Sequence, residues 1–218
     1  DLPQPSTAQG FWADRTQEAR GLVLQRAGDA WLALVYVRDV HGAPRWYSAS
    51  GSIEDGHWRP TQALLRYRRD PVTGGLGSEP AGSIALRFGA DAGDPSCAGA
   101  PRAGASALAV LDLLVDGMPA TDCIEPLRDP RSLRPAVDGS GIWTTPDGSW
   151  GVATESRIGS REDAERALLF HFGTDGLPRW VLGTGARHDG SAALVVRAPD
   201  RPGVAGRVSY RFAGACGY

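Results

Sequence analysis

Ala33-Leu34-Val35-Tyr36-Val37, then Gly42-Ala43-Pro44-Arg45-Trp46-Tyr47, returns 134 residues later as Ala167-Leu168-Leu169-Phe170-His171 and Gly176-Leu177-Pro178-Arg179-Trp180-Val181. In each copy an aliphatic and aromatic run meets a glycine-bearing turn and resumes behind Pro-Arg-Trp, the pattern of two strands joined by a short connection. Proline suits a strand's first position, where no ladder donor is needed. Working outward, Gly10-Phe11-Trp12 matches Gly141-Ile142-Trp143, and Gly51 before Asp55-Gly56 matches Gly185 before Asp189-Gly190. Ala81-Gly82-Ser83-Ile84-Ala85-Leu86-Arg87-Phe88 resembles the stretch from Ala205 to Phe212. Landmarks kept in one order mark an internal repeat.

The first copy runs on through Ser106–Val115, an Asp116-Gly117 turn and Thr121–Leu127, whereas the second ends at Tyr218 without that hairpin. The expectation is an all-β, antiparallel fold, a sandwich or small barrels, built from two tandem repeats with the second truncated. The units are residues 1–127 and 141–218, joined by a linker at 128–140 that holds Pro130, Pro135 and Gly139. A shortened sheet must cover its edge, so the second unit is expected to pack on the first. Charge spacing in Arg161–Leu169 suggests at most one helical turn.

The 218 residues carry a net charge of -2 with 42% hydrophobic residues, values of an ordinary packed domain. Nothing supplies the basic field that nucleic acid requires. All 23 basic residues are arginine, and asparagine is missing as well, so turns rely on the 29 Gly, the 16 Pro and aspartate. No stretch reaches the ~20 apolar residues of a transmembrane helix. A start at Asp1 fits a processed, exported chain, and the protein is expected in the periplasm, on the outer-membrane surface or secreted. The three cysteines, Cys97, Cys123 and Cys216, form no metal-binding spacing. In an oxidising compartment they give one disulfide and one thiol. The expected pair is Cys97–Cys123, with Cys216 able to replace either partner.

Gly-x-Trp, a strand, Gly-x-Pro-x-Trp-Tyr and a glycine-bearing turn together resemble a repeat of secreted proteins and lipoproteins of proteobacteria. The likeness covers about residues 10–127 and again 141–212. It implies an extracytoplasmic β domain that accompanies other modules, and it brings no reaction, ligand or catalytic residue. The second copy departs from it at Val181, where tyrosine is expected, and in its missing hairpin.

Trp46 and Trp180 are expected to anchor the core, as are Trp12 and Trp143. The alternative is a sugar-stacking platform of Trp46, Tyr47 and Trp58 beside Arg45, which requires exposed rings. Arg45 with Arg179, and Arg87 with Arg211, occupy matching places and suit structural stacking or carboxylate pairing. Arg66, Arg68 and Arg69 with Tyr67 form the only basic run, with Arg66 and Arg68 on one strand face and Tyr67 opposite, read as a solvated face with a polyanion-binding groove as the alternative. His41, His57, His171 and His188 lie at turns or on a strand, without a nucleophile elbow or a metalloprotease helix. The Asp91–Asp94 loop lacks the ligand pattern of a calcium site. No cofactor, metal or catalytic residue is therefore assigned. The reading is a non-catalytic protein that docks onto a partner protein or surface assembly, then a glycan-binding module, then a hydrolase of unrecognised type.

Overall fold

The computed structural model describes residues 8–14, 20–90, 93–98, 108–127, 140–158, 163–188, 191–198, 203 and 206–211. Most of the linker expected at 128–140, the 161–162 start of the expected helical turn, Asp91, the Asp189-Gly190 turn and Cys216 lie outside these residues.

Every pairing among the described strands is antiparallel. The first sheet comprises β1 (Gly10–Ala13), β2 (Gly21–Ala27), β3 (Ala30–Arg38), β4 (Pro44–Glu54), β5 (His57–Pro60), β6 (Leu64–Arg69), β7 (Leu76–Ala90), β8 (Leu108–Val115) and β9 (Met118–Pro126). Pairing of β3 with β4 joins the two ends of the order β3-β2-β1-β9-β8-β7-β5-β4, so eight strands close into a barrel and β6 is an extra strand. β5 and β6 both lie between β4 and β7, β5 on one half of β4 and β6 on the other. Closure removes the free edges, and eight strands leave an interior that side chains alone can fill. Ala33, Val35 and Val37 on β3 point inward with Trp12, Trp58 and Leu111. Asp55-Gly56 and Asp116-Gly117 both have positive φ at their two residues, the conformation of a tight hairpin turn, and they form the turns expected there.

The second sheet is an open meander of β10 (Gly141–Thr144), β11 (Trp150–Ile158), β12 (Asp163–Phe172), β13 (Pro178–His188), β14 (Ser191–Arg197) and β15 (Gly206–Arg211). Asp163–Phe172 is thus strand, which corrects the helical turn expected over 161–169. Glu165 and Arg166 point to opposite faces of β12, and pairing with both β11 and β13 overrides their helix-like spacing.

The registers of the two sheets coincide. Tyr36 stands opposite Trp46 as Phe170 stands opposite Trp180, and Ile53 opposite Trp58 as Arg187 opposite Ala192. Two glycines are constrained alike. A Cβ on Gly51 would strike the Arg59 carbonyl, and one on Gly185 the Ala193 carbonyl. Where the barrel continues into β8 and β9, β15 is the last strand of the second sheet among the described residues.

The outer face of the barrel's β1–β4 side packs on the matching face of the second sheet. Phe11, Val23, Leu34, Tyr36 and Trp46 form one buried cluster with Ala153, Leu168, Phe170 and Trp180. Contacts across it run both ways. Trp46 Nε1 donates to the His171 carbonyl at 3.2 Å, and Trp180 Nε1 donates to the Val37 carbonyl at 3.0 Å. Tyr36 meets Trp180 edge-on at 5.2 Å between ring centres, and Phe170 meets Trp46 at 5.3 Å. This reciprocity is that of an isologous interface.

Candidate functional site

The residues weighed as a glycan platform do not form one. Trp58 and Tyr47 are buried in the barrel and Trp46 in the inter-sheet cluster, so none turns a free ring face to a ligand. Trp46 is further enclosed by Tyr67, stacked at 5.1 Å, and by Phe172. The Tyr47 hydroxyl donates to Asp116 Oδ2 at 2.8 Å, and burial followed by that bond pushes its phenol well above the usual tyrosine range.

The matched arginines close their own turns. Arg45 pairs with Asp39 at 2.7 Å and donates to the Pro44 carbonyl, while Arg179 pairs with Asp175 at 2.6 Å and donates to the Pro178 carbonyl. Arg87 holds Asp94, which caps the short 3-10 turn Pro95–Cys97, whereas Arg211 is exposed on β15. Arg66 bridges Glu79 at 2.6 Å and Asp116 at 2.9 Å, so it ties β6 to β7 and to the β8–β9 turn. Arg68 is exposed. Cys97 and Cys123 form a disulfide that ties the 3-10 turn to β9.

His57 Nδ1 lies 2.9 Å from its neighbouring Asp55 carbonyl, His171 Nδ1 lies 3.1 Å from the Phe172 carbonyl, and His41 and His188 are exposed. Among the described residues, no three His, Cys, Asp or Glu side chains are grouped to hold a metal ion. No helix among them is long and apolar enough to cross a membrane.

On the face of the second sheet that corresponds to the barrel interior, Ala167, Ala192 and Leu194 form a buried cluster with Val152, Leu169 and Tyr210 packed against it, and two large exposed side chains, Trp143 and Trp150, stand at its β10–β11 end. Trp143 was expected in the core like Trp12. Trp12 is fully buried and donates to the Ala8 carbonyl at 2.7 Å, whereas Trp143 is 38% exposed. The difference is in the neighbouring strands. In the barrel β9 flanks β1, while among the described residues β10 pairs only with β11. Trp143 stands opposite Val152, and Trp150, 50% exposed, lies two residues from Val152 on that same face. The two indoles are therefore diagonal neighbours. A half-buried row of Val152, Leu169 and Val181 continues from them across β11, β12 and β13.

Away from the indoles the face turns polar. Glu165 is fully buried, accepts a hydrogen bond from the Tyr210 hydroxyl at 2.6 Å and lies 4.0 Å from Arg187 Nη1. Burial and then the bond to Glu165 push the Tyr210 phenol far above its usual range, which keeps it a donor. At the offset of 134 residues where the registers of the two sheets coincide, Glu165 takes the position of Trp31 and Arg187 that of Ile53, charged residues where the barrel has core. That substitution is the sequence signal for this cluster, and it was missed. Tyr210 on β15 reaches Glu165 three strands away, so the open sheet curls as the barrel does.

No family model matches this chain, and no curated protein or solved structure matches it either.

Proposed function

We propose that this chain is an exported, non-catalytic interaction protein that docks onto a partner protein or surface assembly through the exposed Trp143 and Trp150 end of its second sheet and the edges that pair on one side only among the described residues. The observation that carries the reading is the exposure of Trp143 and Trp150 on a face whose counterpart in the barrel is closed core. Large apolar side chains displayed together on an open sheet mark an interaction site more often than isolated ones do. In this reading the chain consists of two tandem copies of one strand unit, the second truncated, and the coincident registers and reciprocal tryptophan contacts support it. The Cys97–Cys123 disulfide supports an extracytoplasmic location, because such bonds persist in oxidising compartments.

A surface glycan is the second reading, and one observation favours it: the diagonal pair Trp143 and Trp150 supplies the exposed aromatic surface that Trp46, Tyr47 and Trp58 do not. The test places a photo-crosslinking residue at Trp150 of the full chain in its native envelope, with the same residue at Val72, a fully solvated loop position, as control. A discrete protein adduct from position 150 alone is the expected result. Equal labelling from both positions, or none from 150, would overturn the docking reading. A glycan adduct would favour the second.

A further inference from the structure

Resting on that docking role, we infer that the second sheet is completed by a β-hairpin of a partner protein whose strands alternate apolar and acidic residues, one strand pairing along β15 and the other along β10. The template is in this chain. In the barrel, the space between β7 and β1 is filled by the β8–β9 hairpin, Leu108–Pro126. β15 holds the place of β7, since Ser191 and Ala192 face Arg211 and Tyr210 as His57 and Trp58 face Arg87 and Leu86. β10 holds the place of β1, with Ile142 opposite Ala153 as Phe11 is opposite Val23. Among the described residues β10 and β15 each pair on one side only. A strand edge of this kind is a template for strand addition.

The charge of the occupant follows from the same comparison. The resident hairpin carries Asp112, Asp116, Asp122 and Glu125 and no basic residue. Asp112 stands opposite Ala85 on β7, and the residue in the place of Ala85 on β15 is Ser209. Exposed Arg207 and Arg211 flank Ser209 two residues to either side. Diagonal cross-strand neighbours lie about 7–8 Å apart, within reach of a long side chain, so a carboxylate set opposite Ser209 can meet both guanidiniums. The corresponding residues on β7 are Ser83 and Arg87, and Arg87 is already engaged by Asp94. Two arginines on an open edge repel a second β15 and accept an acidic strand, so the edge selects against self-pairing. The inward residues of the resident strand, Ala109, Leu111, Leu113 and Val115, complete the barrel core. An incoming strand with that alternation covers the Trp143 and Val152 side of the second sheet.

The probe is a head-to-tail cyclised peptide with the sequence of residues 108–126 and Cys123→Ser, cyclised because a lone two-stranded hairpin is marginal in water. Calorimetric titration into the full chain is expected to show saturable binding and to block photo-crosslinking from position 150. Binding should weaken about tenfold in the chain carrying Arg207→Glu and Arg211→Glu, as reversal of two surface ion pairs predicts. It should recover when the peptide carries Asp112→Arg. An unchanged thermal midpoint of the double variant excludes unfolding as the cause. Absence of binding, or binding indifferent to both charge changes, overturns the inference. If position 150 still crosslinks a protein that the peptide does not displace, the docking role stands and the hairpin falls. Without any crosslink at 150, both fall. Crosslinking to a second copy of this chain also overturns the inference.

Discussion

Trp46 and Trp180 each spend their indole N–H on a carbonyl of the other sheet, at 3.2 and 3.0 Å. Phenylalanine in either place keeps most of the ring but leaves a buried carbonyl unpaired, which costs about 1–3 kcal/mol. Because the contacts are reciprocal, Trp46→Phe and Trp180→Phe should destabilise alike, seen as matching shifts of the urea midpoint with unchanged slope. A large cost at one position and none at the other would argue that one contact carries the interface alone. The tyrosines predict a response to base. Burial raises the phenols of Tyr36, Tyr47 and Tyr210, the last two helped by their carboxylate acceptors. A folded value above the unfolded value, about 10, means that this stability is complete below that pH and is lost as pH rises towards the folded values. Tyrosinate absorbance should therefore rise together with the loss of β-sheet circular dichroism, not ahead of it. Tyr36→Phe, which copies Phe170 in the other sheet, should move the alkaline transition upward. Free titration of these phenols at ordinary pH in an intact fold would refute the assignment. At this scale the sequence identified Trp46 and Trp180 as anchors but not what they anchor. Period-two alternation says that two side chains share a face, and it is silent on what covers that face.

At the scale of elements, the Cys97–Cys123 bond fastens a short 3-10 turn to β9 across 26 residues of sequence. A closed loop of that length restricts the unfolded chain, for an expected contribution of about 3.5 kcal/mol. Replacing both cysteines with alanine should lower the thermal midpoint accordingly, and adding reductant to the native protein should have the same effect. No change would mean that packing of the half-cystines with Leu108 and Val110 suffices without the bond. Strand positions were legible because the Asp-Gly turns and Pro-Arg-Trp starts punctuate them, and Asp116 and Gly117 adopt the positive φ that such turns require. The helical reading of 161–169 failed because spaced charges on an exposed helix and alternating charges on a buried strand look alike over a few residues. Division of one barrel position between β5 and β6 was not legible either. It depends on the lengths of β4 and β7, long enough to hold two short partners end to end.

For the whole molecule, the consequence lies in how one sheet can depend on the other. The barrel closes on itself, so each of its described strands pairs on both sides. The second sheet has two free edges among the described residues and an outer face carrying Leu168, Phe170 and Trp180, which are buried only because the barrel covers them. The antiparallel all-β class and many of the strands were readable from the sequence, but strand order and closure were not, since sandwich and barrel share the same local patterns. The asymmetry gives a direct expectation. A protease site introduced within residues 128–139 and then cut should yield two fragments that still co-elute on size exclusion, held by the reciprocal tryptophan contacts and the surrounding cluster. Adding Trp180→Ala to the cut chain removes the indole N–H bond and most of the side chain that fills the interface, a truncation worth about 3–5 kcal/mol in a packed core. The barrel fragment should then elute alone as a folded species. The second fragment, with its outer face now in water, should precipitate or bind hydrophobic dyes. If both fragments instead separate as folded, freely dissolved units before any substitution, the cluster is a surface contact and the second sheet must owe its stability to something other than the barrel.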